Sequence, residues 1–106
     1  MQNLTGTWEI QEMETWDEDY FNMEVQAYIT IKKNQTGQFQ FGLVSGHFSV
    51  GNIENGRLSF EWAGNDEMDE ASGTGWVELK FNDEIKGHFS FHFMGDDSTF
   101  SATRKK

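Results

Sequence analysis

Apolar and polar residues alternate one by one along most of this chain, and no other feature limits its fold as tightly. In Gln38-Phe39-Gln40-Phe41, in Leu58-Ser59-Phe60-Glu61-Trp62 and in Phe89-Ser90-Phe91-His92-Phe93, every second side chain is large and apolar while its neighbour is polar. A period of two puts successive side chains on opposite faces of a β-strand, so each such run has one dry face and one wet face. No stretch carries a sustained apolar stripe at helical spacing, and the richness in Phe, Trp and Gly (10, 4 and 11 residues) leans the same way.

Alternation and turn signals together predict eight strands, at residues 5–14, 25–33, 38–44, 47–53, 57–63, 74–82, 85–94 and 98–104. Ser45-Gly46, Asn55-Gly56 and Gly95-Asp96-Asp97 supply turn chemistry between them, and only residues 15–24 and 64–73 make longer connections. Trp8, Ile29, Phe39, Leu43, Phe48, Val77, Phe81, Phe89 and Phe100 fall on the dry side, with Gln38, Ser59, Glu61, Glu78 and His88 opposite. Eight consecutive antiparallel strands with one dry face are expected to close into an up-and-down β-barrel, because closure removes both unpaired edges. The complete absence of Pro suits an uninterrupted ladder. With 106 residues, the expectation is one all-β domain spanning residues 1–106.

There is no Cys, hence no disulfide framework and no thiol nucleophile or ligand, and a reducing cytoplasm is the expected setting. No apolar run is long enough for a membrane helix, and the first residues lack signal-peptide character, so the chain is expected to begin with its domain and to meet no membrane. The net charge of -10 excludes nucleic acid as a natural partner, since phosphate binding needs Lys and Arg to release counterions.

Gly6-Thr7-Trp8 at the start of the first strand, with Arg104 at the end of the last, resembles the calycin superfamily, whose best-known branch is the lipocalins. The resemblance implies a barrel opened by Gly-x-Trp and plugged at one end by a basic side chain lying over the indole, a cation-π contact worth about 0.5–2 kcal/mol. The avidin branch also opens Leu-Thr-Gly-x-Trp, but the residues after Trp8 read Glu-Ile-Gln-Glu-Met-Glu, without the Asn and Ser that hold biotin there. The fatty-acid-binding branch needs a helix pair that residues 15–24 are too few to form. The resemblance therefore implies an architecture and leaves the ligand open.

If strand one runs away from the plug, each connection belongs to one end of the barrel. The open end then collects Asp17, Glu18, Asp19, Glu24, Asp66, Glu67, Asp69, Glu70, Asp96 and Asp97, ten of the eighteen acidic residues, while the eight basic residues fall toward the plug. An anionic mouth favours neutral or cationic molecules and repels carboxylates. Asn65 to Glu70 lacks the ligand spacing of a calcium loop, so no metal is expected. Gly46, Gly64, Gly73 and Gly75 near the mouth would leave room for an apolar pocket lined by Phe41, Phe60, Trp62, Phe91 and Phe93. The other reading is that Trp16, Tyr20 or Phe21 folds in as a lid over a filled barrel.

His47, His88 and His92 all face outward in this register, too far apart to share a metal, and no nucleophile, phosphate-loop or metalloprotease motif is present. An enzymatic alternative rests on Glu12 and Glu14, which continue the inward register of the first strand toward the mouth. On the outer face Trp76, alternating with Glu78 and Lys80 and with His92 expected nearby, suggests a contact for a partner or a second copy. The leading expectation is binding of a small neutral or cationic apolar molecule at the acidic open end, without chemistry or cofactor. The alternatives are a filled barrel acting through its surface, as an interaction or homo-oligomer module, and a small enzyme using a mouth glutamate.

Overall fold

Wherever the alternation runs unbroken, the chain forms strands. The computed structural model describes residues 4–33, 36–49, 51–80, 83–92 and 97–105, with Gly51 and Ile53 described by their backbone alone. Its elements are β1 (Gly6–Met13), α1 (Glu18–Phe21), β2 (Tyr28–Ile31), β3 (Gly37–Phe41), β4 (Val44–Phe48), β5 (Gly51–Glu54), β6 (Arg57–Asp66), β7 (Asp69–Leu79), β8 (Glu84–Phe91) and β9 (Asp97–Arg104). All pairings are antiparallel, in the order β4-β3-β2-β1-β9-β8-β7-β6, and β4 pairs again with β6 to close the ring. The result is an all-β, closed, eight-stranded up-and-down barrel. β4 and β5 lie in succession along one side of β6, β5 against Arg57 to Phe60 and β4 against Ala63 to Asp66, and together they fill a single position in the ring.

The single strand expected at 47–53 is divided between β4 and β5, and three further features differ from the sequence reading, each for a local reason. The turn expected at Ser45-Gly46 lies instead at Gly42-Leu43, where Phe41 pairs with Val44 across a two-residue loop. Gly42 sits at φ 58, in the left-handed region that glycine enters without steric cost, and the Tyr20 ring packs on it where a Cβ would stand. Leu43 is thus a half-buried turn residue and Val44 takes the inward place. Residues 64–73 are not a long linker: β6 and β7 run through them in register to Asp66↔Asp69, leaving only Glu67-Met68 as the loop.

The third difference reverses a face. On β1 the register slips between Ile10↔Ala102 and Glu12↔Ser101, so Gln11 forms a β-bulge. One extra residue shifts every later side chain to the opposite face. Met13 consequently packs against the core, and Glu12 and Glu14 are exposed on the outer wall rather than directed into the mouth.

The interior is a continuous aromatic cluster. Phe39 lies 4.4 Å from Phe89 and 5.2 Å from Trp62 between ring centroids, and Phe48 stacks on Phe60 at 4.2 Å. At one end Trp8 is fully buried, its Nε1 donating to the Leu4 carbonyl at 2.9 Å. The Arg104 guanidinium lies over the indole, 4.2 Å from its centroid, donates through Nη1 to the Thr5 carbonyl at 2.7 Å and pairs with Asp83 at 3.1 Å. Gly6 has φ 135, a backbone that requires glycine, and a Cβ there would stand 2.6 Å from Arg104 Nη1, displacing the guanidinium. Gly6, Trp8 and Arg104 therefore form one plug. The ends of β1, β3 and β6 farther from it define the open end.

Candidate functional site

The open end is covered by the segment that follows β1. Glu14 N donates to the Thr99 carbonyl at 3.0 Å, and Thr15 N donates to the hydroxyl of Ser98 at 3.0 Å. Ser98 is fully buried and passes its own proton to the Thr99 carbonyl, so its hydroxyl is satisfied on both sides. This anchor carries Trp16 across the mouth, where its ring lies 5.3 Å from Phe41, 5.9 Å from Phe91 and 5.9 Å from Tyr20. Asp17 then caps α1 by accepting from Tyr20 N at 3.1 Å. One helical turn is enough to bury Phe21, and Asn22 ends it, its side-chain oxygen accepting from Ala27 N at 2.8 Å.

Tyr20 and Phe21 tie this lid to the rest of the rim. Gly42 N donates to the Phe21 carbonyl at 2.9 Å, Leu43 N donates to the Tyr20 hydroxyl at 3.4 Å, and Glu67 N donates to the Leu43 carbonyl at 2.8 Å. The lid, the β3–β4 turn and the tip of the β6–β7 hairpin are therefore one connected rim. Burial pushes the Tyr20 phenol above its ordinary pKa; the Leu43 amide opposes this, and Asp66 and Glu67 add to it.

Four of the five pocket residues expected from the sequence come together beneath this lid. Phe41, Trp62 and Phe91 form its floor, with Trp62 5.2 Å and Phe41 6.4 Å from Phe91, and Phe60 lies one layer deeper against Phe48 and Phe89. Phe93 lies outside the described residues. Three of the four glycines expected to leave room face rings instead, and Gly64 faces the backbone of Ser45 and Gly46. A Cβ on Gly46 would stand 2.8 Å from both Phe39 and Trp62, one on Gly73 would stand 2.9 Å from Trp62, and one on Gly75 would stand 2.7 Å from Phe60. Each large ring thus occupies the notch that a glycine opens on the neighbouring strand. Trp16 and Phe21, from a segment with no alternation, complete the covering.

Charge is distributed as the topology requires. Asp17, Glu18, Asp19 and Glu24 lie on the β1–β2 connection, and Asp66, Glu67, Asp69 and Glu70 cluster at the hairpin tip. Neither segment contains a Lys or Arg. Asp97 begins β9 at the same end, and Asp96 lies outside the described residues. Among the described residues, no cluster of three or more His, Asp or Glu is disposed to hold a metal ion.

The outer wall carries a separate array. Trp76 pairs with His88, not with the expected His92, and their rings stack at 6.3 Å. The Arg57 guanidinium sits 3.8 Å from the Trp76 ring centroid and bonds Glu78 at 2.8 Å, while His88 Nε2 lies 3.0 Å from Asp97. The hydrogen bond from Arg57 holds the Glu78 carboxyl below its ordinary pKa. A groove of about 460 Å³ runs beside Trp76, walled by Asn52, Ser59, Glu61 and Thr74. No described helix is long and apolar enough to cross a membrane. No family model, curated protein or solved structure matches this chain.

Proposed function

We propose that this barrel is a binding module without chemistry, its interior occupied by its own rings, which engages a positively charged partner at its acidic open end. The observation that carries the reading is the rim itself: two connected segments that bring together Asp17, Glu18, Asp19, Glu24, Asp66, Glu67, Asp69 and Glu70 without a Lys or Arg, held in place by Tyr20 and Leu43. A rim of this sign steers cations and rejects anions, with a reach of about 8 Å at physiological salt. Packing of rings into the glycine notches supports an outward-facing rather than an enclosed site. The test is binding of a fluorescent oligolysine peptide. Combining Asp66→Asn, Glu67→Gln and Asp69→Asn is expected to weaken it at least tenfold, and neutralising Glu61 and Glu84 on the wall should leave it nearly unchanged. Equal losses from the two sets would refute recognition at the mouth.

A second reading has support in the Trp16 lid: a small neutral or cationic apolar molecule that displaces Trp16 and rests on Phe41, Trp62 and Phe91, with Phe60 behind them. Trp16→Gly would then bind a polarity-sensitive dye more tightly than the parent protein, and organic cations would displace that dye better than matched carboxylates. The Trp76 wall offers a third contact, a homodimer face, which Trp76→Ala would disrupt in sedimentation experiments. Kinship with the calycins is supported by the joint placement of Gly6, Trp8 and Arg104, and a cytoplasmic setting by the lack of Cys. With Glu12 and Glu14 on the outer wall, the enzymatic reading loses the mouth position on which it rested.

A further inference from the structure

Met23, Val25 and Met68 are the large apolar side chains that the fold leaves exposed among the described residues, at 53 %, 45 % and 95 %. All three belong to the open end: Met23 and Val25 follow α1, and Met68 is the tip of the β6–β7 hairpin. They are linked along the rim, because Met23 N donates to the Tyr20 carbonyl, the Tyr20 hydroxyl accepts from Leu43, and the Leu43 carbonyl accepts from Glu67 beside Met68. Isolated exposed apolar residues are ordinary on a protein surface. Their confinement to one end, among carboxylates, is what calls for a cause.

The hairpin tip gives a second indication. β5 and β6 are joined at the plugged end by Asn55-Gly56, both at positive φ (55 and 80), the residue pair that a two-residue hairpin loop favours. β6 and β7 are joined by a loop of the same length built from Glu67-Met68, with Glu67 at φ 61, where a side chain costs on the order of 1 kcal/mol. Folding alone would favour glycine at that first loop position. The chain places a carboxylate there instead and holds a thioether out in water next to it.

Deepening the open-end reading, and resting on it, we propose that the partner is an amphipathic basic segment of another protein, whose apolar side chains settle on Met23, Val25 and Met68 while its Lys and Arg face the rim. Methionine is unbranched and polarizable, so it fits apolar side chains of varied shape and recurs on surfaces that receive amphipathic helices. The surrounding charge selects the sign of the occupant: an acidic segment or an anionic bilayer is repelled, and a basic one is attracted before any apolar contact forms. A purely cationic chain gains only the screened electrostatic part. A segment with apolar residues at helical spacing gains both.

The experiment uses three labelled peptides of about 14 residues, roughly four helical turns: a Leu/Lys peptide with its Leu at helical spacing on one face, a Lys/Ser peptide of equal charge, and a Leu/Glu peptide. The Leu/Lys peptide is expected to bind at least tenfold tighter than Lys/Ser, and Leu/Glu not at all. Combining Met23→Gln, Val25→Thr and Met68→Gln should bring Leu/Lys down to the Lys/Ser level without lowering the melting temperature, since these side chains support no core. If Lys/Ser binds as well as Leu/Lys, or the triple variant changes nothing, the amphipathic partner is wrong while the charged rim stands. If neither cationic peptide binds, the rim reading falls with it. Loss of Leu/Lys binding on Trp76→Ala but not in the triple variant would move the contact to the wall and overturn the proposal.

Discussion

Tyr20 joins three parts of the mouth through one side chain. Its ring packs on Gly42, its hydroxyl accepts from Leu43, and its phenol is held neutral by burial and by the nearby Asp66 and Glu67. Its pKa is higher in the folded than in the unfolded chain, so as pH rises past the ordinary value of 10.0 the unfolded state ionises first and stability falls. A spectroscopic titration should show a component that ionises late, and Tyr20→Phe should remove it together with part of the alkaline loss. Glu78 works in the opposite sense. Its pKa is depressed by the Arg57 hydrogen bond, so its contribution is present above the ordinary value of 4.5 and disappears as pH falls through the folded value; Glu78→Gln should flatten that part of the acid melting profile. At the plug, Gly6→Ala meets both a disfavoured φ and the Arg104 guanidinium, and a loss of about 2 kcal/mol or more is expected by denaturant unfolding. The roles of Gly6, Trp8 and Arg104 could be read from sequence because they form a motif with a fixed spatial meaning. Tyr20 could not, since its importance lies in contacts to the Gly42-Leu43 turn, distant in the chain.

At the scale of elements, alternation revealed which residues are inside far better than it revealed where strands stop. Phe39, Phe41, Phe60, Trp62, Phe89 and Phe91 all face inward, as their spacing requires. The Gln11 bulge leaves the alternation of β1 visible in sequence but inverts its meaning beyond that point, which is why Glu12 and Glu14 read as inward and stand outside. Deleting Gln11 would remove the bulge and leave Glu12 outward and Met13 inward on unbroken alternation, so a loss of no more than about 1 kcal/mol is expected by denaturant unfolding, whereas Met13→Asp, which puts a carboxylate against the core, should cost about 2 kcal/mol or more. The β6–β7 hairpin was hidden for a different reason: Glu67-Met68 is not turn chemistry, and the acidic residues around it resemble a solvated loop. Glu67→Gly should raise stability by about 0.5–1 kcal/mol by relieving the left-handed backbone at that position. The lid was legible only as a choice among three aromatic residues. Nothing local reveals that Ser98, on the last strand, anchors the backbone before Trp16.

For the whole molecule, sorting of charge between the two ends followed from topology alone, because an up-and-down chain assigns alternate connections to alternate ends. Binding at the mouth should therefore weaken steeply with ionic strength while the melting temperature moves little, since the core is apolar and the one charged group of the plug, Arg104, is held by its own partners. Ring closure has a further consequence. Strands adjacent in the barrel are also near neighbours along the chain, save at one seam, where Trp8 meets Arg104. A polypeptide emerging from the ribosome can zip up β2 through β8 by successive hairpins, yet the indole at its beginning stays wet until its final segment arrives. Nascent chains halted before β9 should thus persist as an open, protease-sensitive sheet, and release of the last strand should be the event that makes them resistant.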